Sequence, residues 1–238
     1  ELVLDDERLR TLRDHPGFRE LMTDTFGQRA LVQLSQPIQV RKGLESELIN
    51  TLGMRLKRVA PGRFTMGSPA SEVDRNVMSE VQTEVILSTA FYMGVTEVTQ
   101  AQWLAVMENN PSVVAGDSLP VQRVTWLQAA KFCKRLTERE GVLYRLPTEA
   151  EWEFVCRAGG PGAYAHGNTI AELKSHGWFK DSFKKDSAPQ PVGKLTPNAL
   201  GFWDMHGNVY EWVMDYYAPH KGEPLTDPMG PDSGTLRI

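Results

Sequence analysis

The chain has 238 residues, the size of one large domain or of an ordinary domain with an appendage. Its 41% hydrophobic and 24% charged residues are typical of a folded globular protein and exclude a disordered, fibrous or disulfide-stapled chain. The formal net charge of −4 argues against general attraction to nucleic acid, and no apolar run is long enough to cross a bilayer. We therefore expect no membrane partner and no general nucleic-acid binding, while a local basic patch is left open.

The first fifty residues differ in texture from the rest. Asp6 can cap a helix that carries Leu9 and Leu12, and His15-Pro16-Gly17 would break it before a second short helix. Residues 1–30 are thus predicted to form a helical appendage, either a docking element for a neighbouring domain or an ordinary connector, and residues 31–50 a linker. Because the chain opens without an initiator Met, we expect an internal piece of a longer, multidomain protein.

From Gly53 onward the pattern favours a mixed domain. Four short runs predict strands, at residues 55–59, 63–66, 84–87 and 91–95. Three helices are predicted by capping boxes, in which a Thr is followed three residues later by Gln or Glu: Thr99/Gln102, Thr125/Gln128 and Thr148/Glu151. After Arg157 no sustained period appears until about Val209, which predicts a long irregular segment held by polar contacts or metal.

Six motifs in order carry a resemblance to a known family. They are GMRL (53–56), GRFTMGS (62–68), FYMGVTEVT (91–99), LPVQRVTW (119–126), YRLPTEAEWEF (144–154) and GFWDMHGNVYEW (201–212). Together they resemble the formylglycine-generating enzymes, also called sulfatase-modifying-factor domains. The resemblance implies that residues 51–238 form an α+β, complex C-type-lectin-like domain with little regular secondary structure. The family contains copper-dependent oxidases and non-catalytic relatives, including ligand-binding scaffolds and domains of bacterial signalling or defence proteins, so membership alone does not decide function.

The oxidase chemistry requires two thiolates that hold Cu(I). The resemblance places both late in the domain, and the chain ends at Ile238 about where that segment would begin. We therefore expect the C-terminal part of the domain to be absent, and copper to bind only if a missing segment supplies cysteines. Cys133 and Cys156 fall on the apolar faces of predicted helices and are expected to be inert core residues. Two cysteines fit a reducing compartment, and a cytoplasmic location is expected.

Calcium is the metal that the resemblance supports. It implies a structural site in the loop GNVYEW, where Asn208 and Glu211 would offer side-chain oxygens and Gly207 or Val209 a backbone carbonyl. The alternative is that Asn208 and Glu211 hydrogen-bond loop backbone without an ion. A second family site, at His176-Gly177-Trp178 with Lys184-Lys185 nearby, is predicted to be lost.

Other candidate residues have simpler interpretations. Glu149, Glu151 and Glu153 fit a helix N-terminus with a structural ion pair to Arg145 better than acid–base catalysis. The histidines show no spacing typical of zinc or iron sites. The aromatic side chains could form a ligand-binding wall, but core positions are favoured: Trp126, Trp152, Trp203, Trp212, Tyr144 and Tyr210. Tyr210 stands where the family commonly has Trp.

The sequence therefore predicts no catalytic and no cofactor-binding residue in this chain. The leading hypothesis is a non-catalytic binding or regulatory module, within a larger bacterial-type protein or assembly, that contacts a protein or peptide ligand or a neighbouring domain or chain. The alternative is a copper-dependent oxidase that converts a sulfatase cysteine to formylglycine and whose cysteine-bearing part is missing. A purely structural spacer is a third class.

Overall fold

The computed structural model describes residues 3–4, 45–72, 75–76, 79–179 and 188–238. The helices predicted for residues 1–30 lie outside the described residues, except that Val3–Leu4 form a strand. In chain order the elements are β1 (Val3–Leu4), β2 (Glu47–Ile49), β3 (Arg55–Val59), β4 (Gly62–Met66), β5 (Thr83–Leu87), β6 (Phe91–Gly94), α1 (Gln100–Leu104), α2 (Trp126–Glu140), β7 (Tyr144–Arg145), α3 (Glu149–Arg157), α4 (Ile170–Leu173) and β8 (Leu225–Thr226).

The strands form two sheets. The first has five strands in the order β2-β3-β6-β1-β7, with every neighbouring pair antiparallel. The second has three strands in the order β4-β5-β8, and β8 joins it parallel to β5. The predicted strand at 55–59 is confirmed, and the other three are confirmed within one residue at an end. β2 lies in the segment that we expected to be a linker, where it pairs with β3 because Leu48 faces Leu56.

The three predicted capping boxes are present. The side chains of Thr99, Thr125 and Thr148 each accept from a backbone N–H three residues on, and Gln102, Gln128 and Glu151 return the bond. A fourth box, Thr169 with Glu172, starts α4 inside the segment that was predicted to be irregular. This helix has only four residues, so the rest of residues 158–179 and 188–208 is irregular, as predicted.

Two groups of buried side chains form the interior. The first core packs α1 and α2 against the five-stranded sheet and contains Trp103, Phe132 and Cys133. The second core lies between the two sheets and α3 and contains Phe91, Val155 and Cys156. The two cysteines, predicted to be core residues, are confirmed as buried free thiols.

A buried ion pair fixes the start of α3. Nη1 and Nη2 of Arg145 lie 2.7 and 2.8 Å from the two carboxylate oxygens of Glu151, which confirms the structural interpretation of this glutamate. Glu151 also accepts the N–H of Thr148 at 2.8 Å, so one carboxylate serves both the cap and the ion pair. Within the described part of the chain, no helix is long and apolar enough to cross a membrane.

Candidate functional site

The loop of residues 201–212 is shaped by unusual backbone geometry. Asp204 and Asn208 have φ angles of 59° and 61°, and Gly207 has a φ of 122°. A Cβ at Gly207 would lie 1.9 Å from the carbonyl oxygen of Trp178, so only glycine allows this approach. The backbone N–H of Asn208 donates to that carbonyl at 2.9 Å. The loop is therefore held against Trp178.

The side chain of Asn208 is committed to the neighbouring backbone. Its Oδ1 accepts the N–H of Gln190 at 2.8 Å, and its Nδ2 donates to the Gln190 carbonyl at 3.1 Å. Asn208 thus makes the hydrogen bonds to backbone that were expected as the alternative to calcium ligation. Calcium ligation at Asn208, Glu211, Gly207 and Val209 stays a prediction.

Two carboxylates are buried at this loop. Asp204, which belongs to the loop, is 2% exposed, and Glu97, which follows β6, is 4% exposed. The hydrogen bonds of Glu97, to the side chains of Asn208 and Asp204, are poorly aligned, and Oδ1 of Asp204 has no well-aligned partner either. Oδ2 of Asp204 accepts the N–H of Gly193 at 2.6 Å. Ionised carboxylates with such poor hydrogen bonding are costly to bury, so a proton or a cation would stabilise this pair.

The electrostatics support the same conclusion. Burial raises the pKa of Glu97 well above its usual range, and the negative charges of Glu211 and Asp204 raise it further. Burial also raises the pKa of Asp204; the Gly193 N–H and a hydrogen bond with Glu97 offset part of this shift, and the charge of Glu211 adds to it. The three carboxylates are close enough to repel one another, and a bound cation would relieve that repulsion.

An open groove is lined in part by Glu97 and Glu211. The groove is lined by residues from segments 97–103, 121–132 and 209–212 and by Leu146. Glu97 and Glu211 are the charged residues among them. Tyr210 is fully exposed at the groove, so the expectation of a core position for this residue was wrong. The reason lies in the loop geometry, because the neighbouring Val209 and Trp212 are partly buried while Tyr210 projects into solvent.

The donor chemistry of this loop fits a hard cation. Carboxylate and carbonyl oxygens are the ligands that calcium prefers, and Glu97 and Asp204 offer buried carboxylate oxygens at this loop. No group of three or more His, Cys, Asp or Glu side chains in the described residues is placed to hold a metal ion. A calcium site would therefore depend on backbone carbonyls, such as those of Gly207 and Val209, in addition to carboxylates.

The residues present do not fit a copper site of two thiolates. Cys133 belongs to the first core and Cys156 to the second. Burial raises the pKa of Cys133 to about 12, so this thiol stays protonated. The Cys156 thiol donates to the carbonyl of Met205 at 3.4 Å.

The remaining candidate residues are engaged elsewhere. His176, at the calcium site that was predicted to be lost, stacks on His166 with 3.3 Å between ring centroids, and Lys184-Lys185 lie outside the described residues. Glu153 accepts from the backbone N–H of Gly67 and from Arg157. Trp126 and Tyr144 are buried, as expected for core aromatics.

Sequence reasoning missed Glu97 and Asp204. Both stand in the recognised motifs, FYMGVTEVT and GFWDMHGNVYEW, and each is an acidic residue among apolar neighbours. That local contrast was the available signal. Their contact could not be read from it, because 107 residues separate them.

Comparison with known proteins shows relatives of more than one kind. Chaperone protein LppX of Paenibacillus barcinonensis is 29% identical over 177 residues, which cover 54% of this chain and 63% of that protein. The formylglycine-generating enzyme of Streptomyces coelicolor is 29% identical over 184 residues, which cover 71% of this chain and 56% of the enzyme. The chain thus matches only somewhat more than half the length of these curated relatives.

The solved structure of Treponema denticola variable protein 1 matches with a TM-score of 0.71 and 29% identity, and the match covers 82% of this chain and 86% of that one. The α+β, C-type-lectin-like fold is confirmed by this neighbour together with the family match. Residues 55–238 match the model of the Sulfatase-modifying factor enzyme 1-like domain. The chain belongs to the family of sulfatase-modifying-factor, or formylglycine-generating-enzyme-like, proteins.

Proposed function

We propose that this chain is a non-catalytic binding or regulatory module of its family that contacts a protein or peptide within a larger protein or assembly. The observation that carries the proposal is the fully exposed Tyr210 beside an apolar groove. Tyrosine is enriched in binding interfaces because its ring supplies apolar area at a low entropy cost. A relative whose name describes a chaperone supports a protein or peptide as the partner.

The two thiols support a non-catalytic role for these residues. Each is buried in a different core, and the Cys133 thiol stays protonated because burial raises its pKa. Copper chemistry of this family type needs a pair of accessible thiolates. Neither cysteine meets that need in the structure.

The experiment is an oxidation assay with a matched positive control. The chain and the Streptomyces coelicolor enzyme are each incubated with copper, dioxygen, a thiol reductant and a cysteine-containing sulfatase peptide, and formylglycine is measured by mass spectrometry. We expect turnover by the enzyme and none by the chain above a protein-free blank. Turnover by the chain that disappears in Cys133→Ala or Cys156→Ala would overturn the proposal.

The second candidate function is the oxidase itself, which the similarity to the Streptomyces coelicolor enzyme over 71% of this chain favours. In that case the copper thiolates would come from residues outside this sequence. The nucleotide sequence after the codon for Ile238 discriminates between the two. Two closely spaced cysteines after an Arg-Gly-Gly-Ser segment would favour the oxidase, and a variable Asn-rich tail would favour a ligand binder.

We further propose that the loop 204–211 holds a structural calcium ion. As predicted from the sequence, Glu211 would supply a carboxylate oxygen and Gly207 and Val209 backbone carbonyls. Asp204 would take the place predicted for Asn208, because both polar atoms of the Asn208 side chain already bond the backbone of Gln190. A bound ion would offset the mutual repulsion of the three carboxylates. Saturating calcium is therefore expected to raise the melting temperature above that in EGTA, and Asp204→Asn to remove most of the increase. Equal melting temperatures in calcium and in EGTA would contradict this proposal.

A further inference from the structure

Two histidines from different parts of the irregular segment, here called the histidine pair, stack face to face. The rings of His166 and His176 lie 3.3 Å apart between centroids, with 12° between their planes. Nδ1 of His176 lies 3.0 Å from the carbonyl oxygen of Thr196. Because a carbonyl oxygen only accepts, this nitrogen carries the hydrogen, and Nε2 of the same ring is the atom that gains a proton in acid. Protonation of His176 therefore affects the stack and leaves the bond to Thr196 in place.

His166 belongs to a short hairpin that covers the loop 201–212. The hairpin consists of residues 164–167 and is closed by hydrogen bonds between the backbones of its first and last residues. The N–H of Ala165 donates to Nε2 of His206 at 3.1 Å. The hairpin thus holds the His206 ring of the loop in place.

The segment that carries His176 supports the same loop from its other side. A Cβ at Gly177 would collide with the carbonyl oxygen of His206, so the two backbones are in close contact. The carbonyl of Trp178 accepts the N–H of Asn208 at 2.9 Å. The histidine pair is therefore the point at which two supports of one loop meet.

The groups around the pair leave it sensitive to acid. Burial lowers the pKa of His166 from its ordinary value of 6.5, and the charge of His176 lowers it further. His206 lies 6.3 Å from His166 between ring centroids, and burial lowers its pKa to about 4, so it stays neutral in weak acid. From α3, the charge of Arg157 acts on His206. From α4, the carboxylate of Glu172 accepts two backbone N–H groups beside the hairpin.

We propose that the histidine pair is an acid-sensitive contact, which is stacked while the rings are neutral and separates when both carry a proton. Two positive charges 3.3 Å apart repel each other, and partial burial limits the water that could screen them. The lowered pKa of His166 gives the direction. The stability that its neutral form contributes is complete above pH 6.5 and is lost as the pH falls below that value.

A buried thiol reports on this separation. Sγ of Cys156 lies 3.8 Å from Nδ1 of His206, whose Nε2 is the atom that the hairpin holds. Movement of the hairpin would release the His206 ring and make Cys156 accessible. Cys133 belongs to the other core and serves as an internal control for global unfolding.

The test is thiol labelling of the full chain at pH 7.5, 6.5 and 5.5 in EGTA with 4,4′-dithiodipyridine, which reacts with thiols in weak acid. Peptide mapping separates the two cysteines, and the labelling rate of a cysteine peptide divided by that of each cysteine gives its protection. The protection of Cys156 is expected to fall by about three- to tenfold from pH 7.5 to 5.5, because one additional proton with a pKa of about 6.5 shifts the equilibrium by no more than about tenfold at pH 5.5. The protection of Cys133 should stay constant.

Matched variants locate the sensor. His166→Phe keeps an aromatic ring that cannot be protonated, so the protection of Cys156 should no longer depend on pH. His166→Ala removes the ring and should lower this protection at every pH. His220→Phe, at a histidine that contacts Glu149 instead, should keep the response of the wild type. In an NMR titration of His176→Phe, the pKa of His166 should rise, because one cause of its lowering is removed.

The inference goes beyond the proposed function and is decided independently of the oxidation assay. A change of less than about twofold in the protection of Cys156 would overturn it. Equal losses of protection at both cysteines would mean global unfolding and would also contradict a local contact. A pH response that persists in His166→Phe would exclude the histidine pair as its cause.

Discussion

Replacing Asp215 by asparagine is expected to stabilise the protein above neutral pH. Asp215 is 3% exposed, and its Oδ2 accepts the N–H of Glu149 at the start of α3 at 2.9 Å. Burial raises its pKa from 3.8 to about 7; the Glu149 N–H opposes the shift, and the charges of Glu149 and Glu151 increase it. An asparagine oxygen can accept the same N–H without carrying a charge.

The sign follows from the raised pKa. The folded state binds this proton more tightly than the unfolded state, so the stability that it contributes is complete below pH 3.8 and is lost as the pH rises to about 7. With about 1.4 kcal/mol per pKa unit, the raised pKa lowers the free energy of unfolding, relative to its value at low pH, by about 1 kcal/mol at pH 4.5 and by about 4 kcal/mol at pH 8. That is a large share of the roughly 5–15 kcal/mol of a typical domain.

The assay is urea unfolding of the wild type and of Asp215→Asn at pH 4.5, 6, 7 and 8. The variant is expected to gain stability relative to wild type by about 3 kcal/mol between the first and the last pH. Asp117→Asn, at an exposed aspartate, serves as the control and should show no such gain. A difference between Asp215→Asn and wild type that does not change with pH would refute the reasoning.

Three further predictions concern the ion pair and the loop. Glu151→Ala is expected to lower the free energy of unfolding by about 3–5 kcal/mol because it leaves Arg145 buried without its partner carboxylate, and urea titration measures this loss. Gly207→Ala is expected to lower the melting temperature more than Gly141→Ala. Both glycines have a positive φ, but only at Gly207 does backbone lie within 4 Å of the new Cβ. Equal decreases would mean that the positive φ, and not the close contact with Trp178, determines the loss. Tyr210→Ser should change the free energy of unfolding by less than about 0.5 kcal/mol, since the side chain is fully exposed, and a larger loss would show that the ring packs on the groove.

The helix caps and the ion pair could be predicted from the sequence because the two residues of each contact lie only a few positions apart. Thr125 and Gln128 bond each other within one helical turn, so the start of α2 follows from the residue types alone. The pairing of Arg145 with Glu151, only six residues away, was accessible in the same way. In contrast, the Thr169/Glu172 box was missed because it starts a helix too short to show a hydrophobic period.

The contact between Glu97 and Asp204 and the exposure of Tyr210 depend on long-range packing and could not be predicted from the sequence. The contact between Glu97 and Asp204 depends on how the segment after β6 meets a loop more than one hundred residues later, and no local pattern specifies that meeting. Tyr210 was assigned to the core because aromatic residues in loop-rich folds usually lie there. Its exposure results from the backbone of the loop, in which Asn208 adopts a left-handed conformation and is fixed by Gln190.

The cost of the unliganded site bears on its function. Glu97 and Asp204 are buried, and burial together with the charge of Glu211 raises the pKa of both, so keeping them ionised lowers the stability of the free protein. A cation that binds only the folded state would recover part of that stability, by mass action. Sites that break the usual rules of burial in this way are commonly functional rather than structural. We therefore expect these carboxylates to contribute free energy to the binding of a cation such as the proposed calcium ion.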